Sequence, residues 1–203
     1  MTSDQKIDGV DIQEHVTLFQ SYFRLDRYTL RHKRFDGSWT QPITREVFER
    51  GHAAAVLLYD PVRDEVALIE QFRAGAMAAG WYPWLIEVVA GIIDEGEAPE
   101  TTAIREAKEE AAATITDLVP ITHVIASPGA VTETCMLYCG RADTTRLGGL
   151  HGMEEENEDI RLFTVPATEA IGWVESGKVN NAVAVIALLW LALNREKLKA
   201  KWA

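Results

Sequence analysis

Three carboxylates and one guanidinium crowd into the run Arg105-Glu106-Ala107-Lys108-Glu109-Glu110. The surrounding stretch predicts a helix. At ~3.6 residues per turn, Glu106 and Glu110 then stand one turn apart on one side, with Glu109 beside them. Ile104, Ala107 and Ala111 are expected on roughly the opposite side, facing a core. Like charges at this spacing oppose a helix by about 0.2–0.5 kcal/mol per pair, and Lys108 points away from the trio. A divalent cation would relieve the repulsion. Mg²⁺ takes oxygen ligands, usually from one or two carboxylates, with water and substrate phosphate in the remaining places. Taken alone, the cluster fits a solvated glutamate-rich helix face equally well.

Its flanks narrow the choice. Gly91 is followed after five residues by Glu97, and after seven more by Arg105-Glu106, then Glu109-Glu110. This spacing resembles the signature of the Nudix hydrolases, enzymes that cleave a nucleoside diphosphate linked to another group, and fixed positions over so long a stretch make the match specific. One position departs: Ala112 stands where the signature usually has glycine, followed by Ala113 in place of a larger apolar residue. Because alanine is the better helix former, a slightly longer or tighter helix end is expected.

The resemblance extends over nearly the whole chain to the bacterial ADP-ribose pyrophosphatase branch of that family. It is carried by Arg45-Glu46-Val47-Phe48-Glu49-Arg50-Gly51-His52-Ala53, Leu68-Ile69-Glu70-Gln71-Phe72-Arg73, Ala126-Ser127-Pro128-Gly129, Glu156-Asn157-Glu158-Asp159-Ile160 and Val185-Ile186-Ala187-Leu188. What it implies is Mg²⁺-dependent hydrolysis of ADP-ribose to AMP and ribose 5-phosphate, with Mn²⁺ as the alternative ion. Hydrolysis of another nucleoside diphosphate sugar such as GDP-mannose, or a non-catalytic nucleotide-binding module, are the rival readings; retention of Glu97, Glu106, Glu109 and Glu110 speaks against the module.

The same resemblance implies the site residues. Metal ligands would be Glu106, Glu110, Glu158 and the backbone carbonyl of Ala90, and the catalytic set Glu156, Arg105 and Glu109. Arg105 would orient a motif carboxylate, as a bidentate guanidinium does well. The acidic loop also offers Glu154, Glu155 and Asp159, and composition does not choose among them; the resemblance places the general base at Glu156. Substrate contacts would come from Arg45, Glu46, Arg50, Arg73 and Ile92, with Tyr22 and Phe23 stacking on adenine, and Ser127, Pro128, Gly129 and Glu133 on the ribose side. Tyr22 and Phe23 also read as ordinary strand residues of a core.

The elements that must position these groups follow from pattern. From Val16 to Phe48 apolar and charged residues alternate, with a hairpin signal at Asp36-Gly37, which predicts a small antiparallel sheet. Strands are expected at 53–59 and 66–72 around the turn Asp60-Pro61, then a loop from Ala74 to Pro83, and one strand at 85–90 leading into the motif helix. Strands at about 116–126, 133–141 and 160–165 follow, with a polar loop around 143–158 and helices near 167–177 and 181–199, the first stopping at Gly177. The expected class is α+β, with a mixed β-sheet sandwiched between α-helices as the Nudix resemblance implies. Residues 1–50 would form an N-terminal antiparallel β-sheet subdomain used in dimerisation, and 51–203 the hydrolase domain; the resemblance implies a homodimer.

A chain of 203 residues has room for such a core. Its net charge of −11 argues against nucleic acid and anionic membranes as partners. The longest apolar run, Ala182 to Leu193, is too short to span a bilayer, and the polar N-terminus is unlike a signal peptide. Cys135 and Cys139 are read as reduced core residues on one face of a strand, and the protein as cytoplasmic.

Overall fold

The computed structural model describes residues 7–152 and 157–202. The chain divides into two compact units, one of residues 1–51 with 125–133, the other of 52–124 with 134–203. That Ile125–Glu133 joins the first unit is not visible from chain order.

In the first unit, β1 (Val10–Gln20), β2 (Arg24–His32) and β3 (Ile43–Glu49) form an antiparallel sheet in the order β1-β2-β3. The first strand starts six residues before the expected Val16. The Asp36-Gly37 turn forms as its sequence dictates: Gly37 has φ +85°, and Asp36 Oδ1 accepts the Ser38 N–H at 2.9 Å. A second, tighter turn at Ser21–Phe23 joins β1 to β2. Asp26, almost fully buried, ties these two strands together by accepting from Thr17 Oγ1 (2.8 Å) and Arg24 Nε (2.9 Å), with His15 Nε2 at 3.2 Å. The returning segment docks on β3 through Phe48, whose N–H reaches the Ala130 carbonyl at 2.7 Å.

The second unit is built on an eight-stranded sheet containing β4 (Ala53–Asp60), β5 (Glu65–Phe72), β6 (Trp84–Glu87), β7 (Val89–Ile92), β8 (Asp117–Ile125), β9 (Thr134–Arg141), β10 (Gly149–His151) and β11 (Ile160–Pro166). Its main path runs β10-β11-β5-β4-β9-β8, with β6 on β5 and β7 on β4. The β4–β9 pair is parallel and β4–β5 antiparallel, so the sheet is mixed. Residues of β4 point alternately to two apolar layers. Ala55, Leu57 and Tyr59 face the layer of α3 (Ala167–Glu175) and α4 (Ala182–Trp202), while Ala54, Val56 and Leu58 face α2 (Pro99–Ala111). Burial on both faces explains the unbroken apolar run of β4. The α+β fold with a mixed sheet between helices is therefore the one expected. Cys135 and Cys139 are both buried in the α4-side layer.

Four expectations need correction. The segment 74–83 is not wholly loop, since α1 (Ala74–Ala78) makes one short helix there, and β10 lies inside the expected 143–158 loop. The single strand at 85–90 is two, because the chain changes partner at Val88: Glu87 is registered with Ile69 of β5, while Val89 is registered with Val56 of β4. The motif helix stops at Ala111 and is not lengthened. Ala112 takes the left-handed conformation, φ +47° and ψ +25°, and its N–H returns to the Lys108 carbonyl at 3.1 Å. The alanine thus keeps the backbone shape that a glycine would supply, at a steric cost.

Candidate active site

The switch from β6 to β7 delivers Ala90, Gly91 and Ile92 alongside α2. Ahead of that helix a turn closes with the Glu97 N–H on the Asp94 carbonyl (3.0 Å), and Pro99 occupies the first turn, where its missing N–H costs nothing. Glu97 then reaches into the helix. Its carboxylate accepts Thr102 Oγ1 at 2.7 Å and both Nε and Nη2 of Arg105 at 3.2 Å. Arg105, followed by Thr102, holds the Glu97 carboxyl down at about 2.

Arg105 joins the motif carboxylates. Its Nη1 donates to Glu106 Oε1 at 2.7 Å and Glu109 Oε2 at 3.0 Å, and its Nη2 reaches the Ile92 carbonyl at 3.4 Å. Glu106 in turn lies so close to Gly91 that any Cβ at residue 91 would overlap its carboxylate. Close backbone approach, and not a turn, is what this glycine provides.

The acidic stripe is not all on the outside. The core face of α2 consists of Thr102, Ala103, Ala107 and Ala111, and Glu110 is buried with them at 5% exposure; Ile104, expected on the core side, is 47% exposed. Residues 103, 107, 110 and 111 recur at helical spacing, which leaves 104 turned outward. Glu110 Oε2 accepts the Ala90 N–H at 3.3 Å. Burial, with repulsion from Glu106 and Glu158 added, lifts the Glu110 carboxyl to about 8 against the pull of Ala90 and Arg73. Burial also raises Glu106, despite Arg105.

Such a pair suits a cation by its chemistry. Glu106, Glu110, Glu158 and the Ala90 carbonyl would make an all-oxygen donor set of the kind hard divalent ions take, and an ion's charge would oppose the burial and repulsion that raise both carboxyls. Among the described residues, no three His, Cys, Asp or Glu side chains stand in cation-holding geometry. Repulsion nonetheless couples Glu106 to Glu110, and Glu158 acts on both. Glu158 follows Asn157, at φ +54°, and a Cβ on Gly152 would lie 2.6 Å from its carbonyl oxygen. Glu156, the expected base, lies outside the described residues, as do Glu154 and Glu155.

Arg73, just past β5, belongs to the same unit. It donates through Nε (3.0 Å) and Nη2 (2.7 Å) to Glu87 Oε2, which also has Gln71 Nε2 at 3.4 Å. Glu87 and Thr102 are contacts that sequence reading missed. A lone carboxylate inside Leu85-Ile86-Glu87-Val88-Val89 was the available signal, because a charge in a buried strand requires a partner.

The other expected substrate residues sit in the first unit. Tyr22 and Phe23 are in the β1–β2 turn, not a strand core: Tyr22 is 80% exposed and meets Phe23 edge-on at 4.7 Å, and Phe23 meets Phe48 at 5.1 Å. The Arg50 guanidinium lies 5.8 Å from the Phe23 ring centre and pairs with Glu133 at 2.7 Å. Its buried Nε has no hydrogen-bond partner among the described residues. Arg45 and Glu46 are exposed, Arg45 donating to the Thr44 carbonyl at 2.8 Å and Glu46 accepting from Arg27 at 2.9 Å. Ser127, Pro128 and Gly129 form an exposed turn closed by the Ala130 and Val131 N–H groups on the Ser127 carbonyl.

Glu97, Arg105, Glu106, Glu109 and Glu110 are presented by a strand, a tight loop and a helix, and residues 49–182 match the NUDIX domain, so the chain belongs to the NUDIX family. Within that family it is 47% identical over 196 residues to an ADP-ribose pyrophosphatase of Escherichia coli, covering 97% of this chain and 94% of that protein. It is 34% identical over 186 residues to a GDP-mannose pyrophosphatase of Cronobacter sakazakii, covering 91% and 96%. A crystal structure of an ADP compounds hydrolase superposes with a TM-score of 0.69 at 22% identity, over 97% of this chain and 98% of that one, and shares the fold.

Proposed function

We propose that this chain is a Mg²⁺-dependent ADP-ribose pyrophosphatase, cleaving ADP-ribose to AMP and ribose 5-phosphate. One observation carries the hydrolytic reading: the motif carboxylates are intact and cross-linked by Arg105, with Glu110 buried against Ala90. The substrate is supported by nearly full-length likeness to an ADP-ribose pyrophosphatase, at higher identity than to a GDP-mannose pyrophosphatase.

Glu106, Glu110, Glu158 and the Ala90 carbonyl would hold the ion, with Mn²⁺ as a substitute. When bound, it supplies charge neutralisation for the pyrophosphate and lowers the pKa of water. Arg105 fixes Glu106 and Glu109, so the site is organised before substrate arrives. Glu156 takes a proton from the attacking water, whose oxygen bonds to phosphorus as the bond to the bridging oxygen breaks. Arg73 meets a phosphate oxygen, and Ile92 contributes its backbone. Arg45, Glu46, Arg50, Ser127, Pro128, Gly129 and Glu133 contact the nucleotide and ribose, with Tyr22 and Phe23 on adenine.

The protein acts as a cytoplasmic homodimer whose residues 1–50 serve dimerisation and 51–203 hydrolysis. Exposed Ile12, Val16, Leu18 and Phe19 on β1 support burial of this strand against another chain. Among the described residues no helix is long and apolar enough to cross a membrane.

The test is incubation of purified protein with Mg²⁺ and a panel of nucleotide sugars. ADP-ribose should give AMP with the highest kcat/KM; a higher value for GDP-mannose would overturn the substrate assignment in favour of the second reading.

A further inference from the structure

We propose that Glu87 is a positioning residue that holds the Arg73 guanidinium off Glu110 and Glu158, keeping those carboxylates available to the cation. The proposal rests on the metal reading above and extends it to a residue outside the ligand set.

The placement follows from strand register. On the β5–β6 ladder Phe72 faces Trp84 and Ile69 faces Glu87, and the Arg73 N–H closes the hairpin on the Pro83 carbonyl at 2.8 Å. The Arg73 side chain then runs back along β6 to Glu87. Three residues further on, across the partner change at Val88, Ala90 donates to Glu110. One short segment therefore carries the carboxylate that binds Arg73 and the backbone that binds the proposed ligand.

Glu87 is well placed for restraint. Its side chain is 13% exposed, against 42% for Arg73, so the anion is the fixed partner and the guanidinium the freer one. Two N–H groups of Arg73 converge on the single oxygen Oε2, and Gln71, itself buried, approaches the same atom. Burial disfavours the Arg73 charge, yet Glu87 first, and Glu110 and Glu158 beyond it, raise its affinity for the proton. Arg73 bonds Glu87 alone of the three, while the same short segment, three residues on at Ala90, bonds Glu110. Released from Glu87, it has two other anions to turn to, and a guanidinium seated on either would compete directly with a divalent ion.

A purely structural ion pair predicts something different. If Arg73 and Glu87 merely tie β5 to β6, removing either partner should disturb the site alike. If Glu87 restrains Arg73, removing Glu87 weakens the cation site and removing Arg73 does not.

The experiment is Mn²⁺ binding to the full-length protein without substrate, followed by electron paramagnetic resonance, for the parent, Glu87→Gln, Arg73→Ala and the double variant. Glu87→Gln should weaken Mn²⁺ binding roughly tenfold, the scale of outer-shell substitutions at metal sites. Arg73→Ala should bind at least as tightly as the parent, and the double variant should match Arg73→Ala, a coupling that a double-mutant cycle isolates. Unchanged affinity in Glu87→Gln, or equal weakening in both single variants, overturns the proposal while leaving the metal reading intact. Should Glu87→Gln fail to fold, the Arg73→Ala affinity still decides, since weakening there is incompatible with restraint. No Mn²⁺ binding by the parent would overturn the metal reading and this proposal together.

Discussion

The Glu106 carboxylate occupies the space where a side chain on Gly91 would begin. Its φ is not in the left-handed region, so the requirement for glycine is steric and comes from the helix across the way. Gly91→Ala should therefore push Glu106 away from Arg105 without straining the backbone. The displaced atoms are the far end of a flexible side chain, which can move, so the melting temperature should change by only a few degrees. Turnover on ADP-ribose should fall by roughly two orders of magnitude, as when an aligned electrostatic group is lost. Steady-state kinetics and thermal melting of the same preparation check both halves; a large loss of stability would place the constraint in the fold instead.

Glu110 makes a prediction about pH. Without a cation its carboxyl sits at about 8, raised by burial and then by Glu106, against ~4.3 in an unfolded chain. Between those values the folded protein holds a proton the unfolded chain has released, so this group's contribution to stability declines as pH rises from about 4 to about 8. Glu110→Gln removes that decline. In chelator, its melting temperature should equal the parent's near pH 5 and exceed it near pH 8, while turnover with Mg²⁺ drops roughly a hundredfold. Mg²⁺ uptake by the parent at pH 7 should also release close to one proton, because a ligand carboxyl must be ionised. Calorimetry in buffers of different ionisation enthalpy measures that proton directly.

Asp60 illustrates the opposite sign. It is 4% exposed at the end of β4 and accepts the Val62, Arg63 and Thr144 N–H groups at 2.9, 3.0 and 3.0 Å, with Thr144 Oγ1 at 3.1 Å. Burial alone would raise its carboxyl, but these donors outweigh it and hold it below the usual range. Its contribution is fully present above ~3.9, the unfolded value, and is lost as pH falls through the folded one. Asp60→Asn should cost about 2–3 kcal/mol at pH 7, the scale of hydrogen bonds to a charged group. Urea unfolding at pH 7 and pH 3 should show the gap between parent and variant shrinking in acid.

What was legible in the sequence depended on how local its cause is. The unbroken apolar run of β4, the Asp36-Gly37 turn and the spacing from Gly91 to Glu110 are set by neighbours in the chain, and each appears where its pattern placed it. The break between β6 and β7 was hidden because both halves are apolar and only their different partners separate them. Burial of Glu110 was hidden for the opposite reason: helical spacing puts it at the border of two faces, and chemistry argues for solvent while packing against Ala90 decides for the interior. The Glu87–Arg73 pair needed the β5–β6 register, which no single segment encodes.

Ala112 is the departure from the family signature that structure turns into a measurable strain. It closes α2 in the left-handed conformation at φ +47°, with the Ala113 N–H returning to the Ala107 carbonyl at 2.9 Å. For an L-residue with a Cβ this costs roughly 1–2 kcal/mol, whereas glycine adopts it freely but loses more entropy on folding, which offsets part of the gain. Ala112→Gly should therefore stabilise the protein by about 0.5–1 kcal/mol, the scale of such backbone exchanges. Ala112 lies one residue past the end of the helix and two beyond Glu110, and the glycine keeps the same φ and ψ, so kcat and the Mg²⁺ dependence should be unchanged. Urea titration reads the stability and steady-state kinetics the activity. A variant less stable than the parent would mean that the methyl group of Ala112 contributes packing that exceeds its strain.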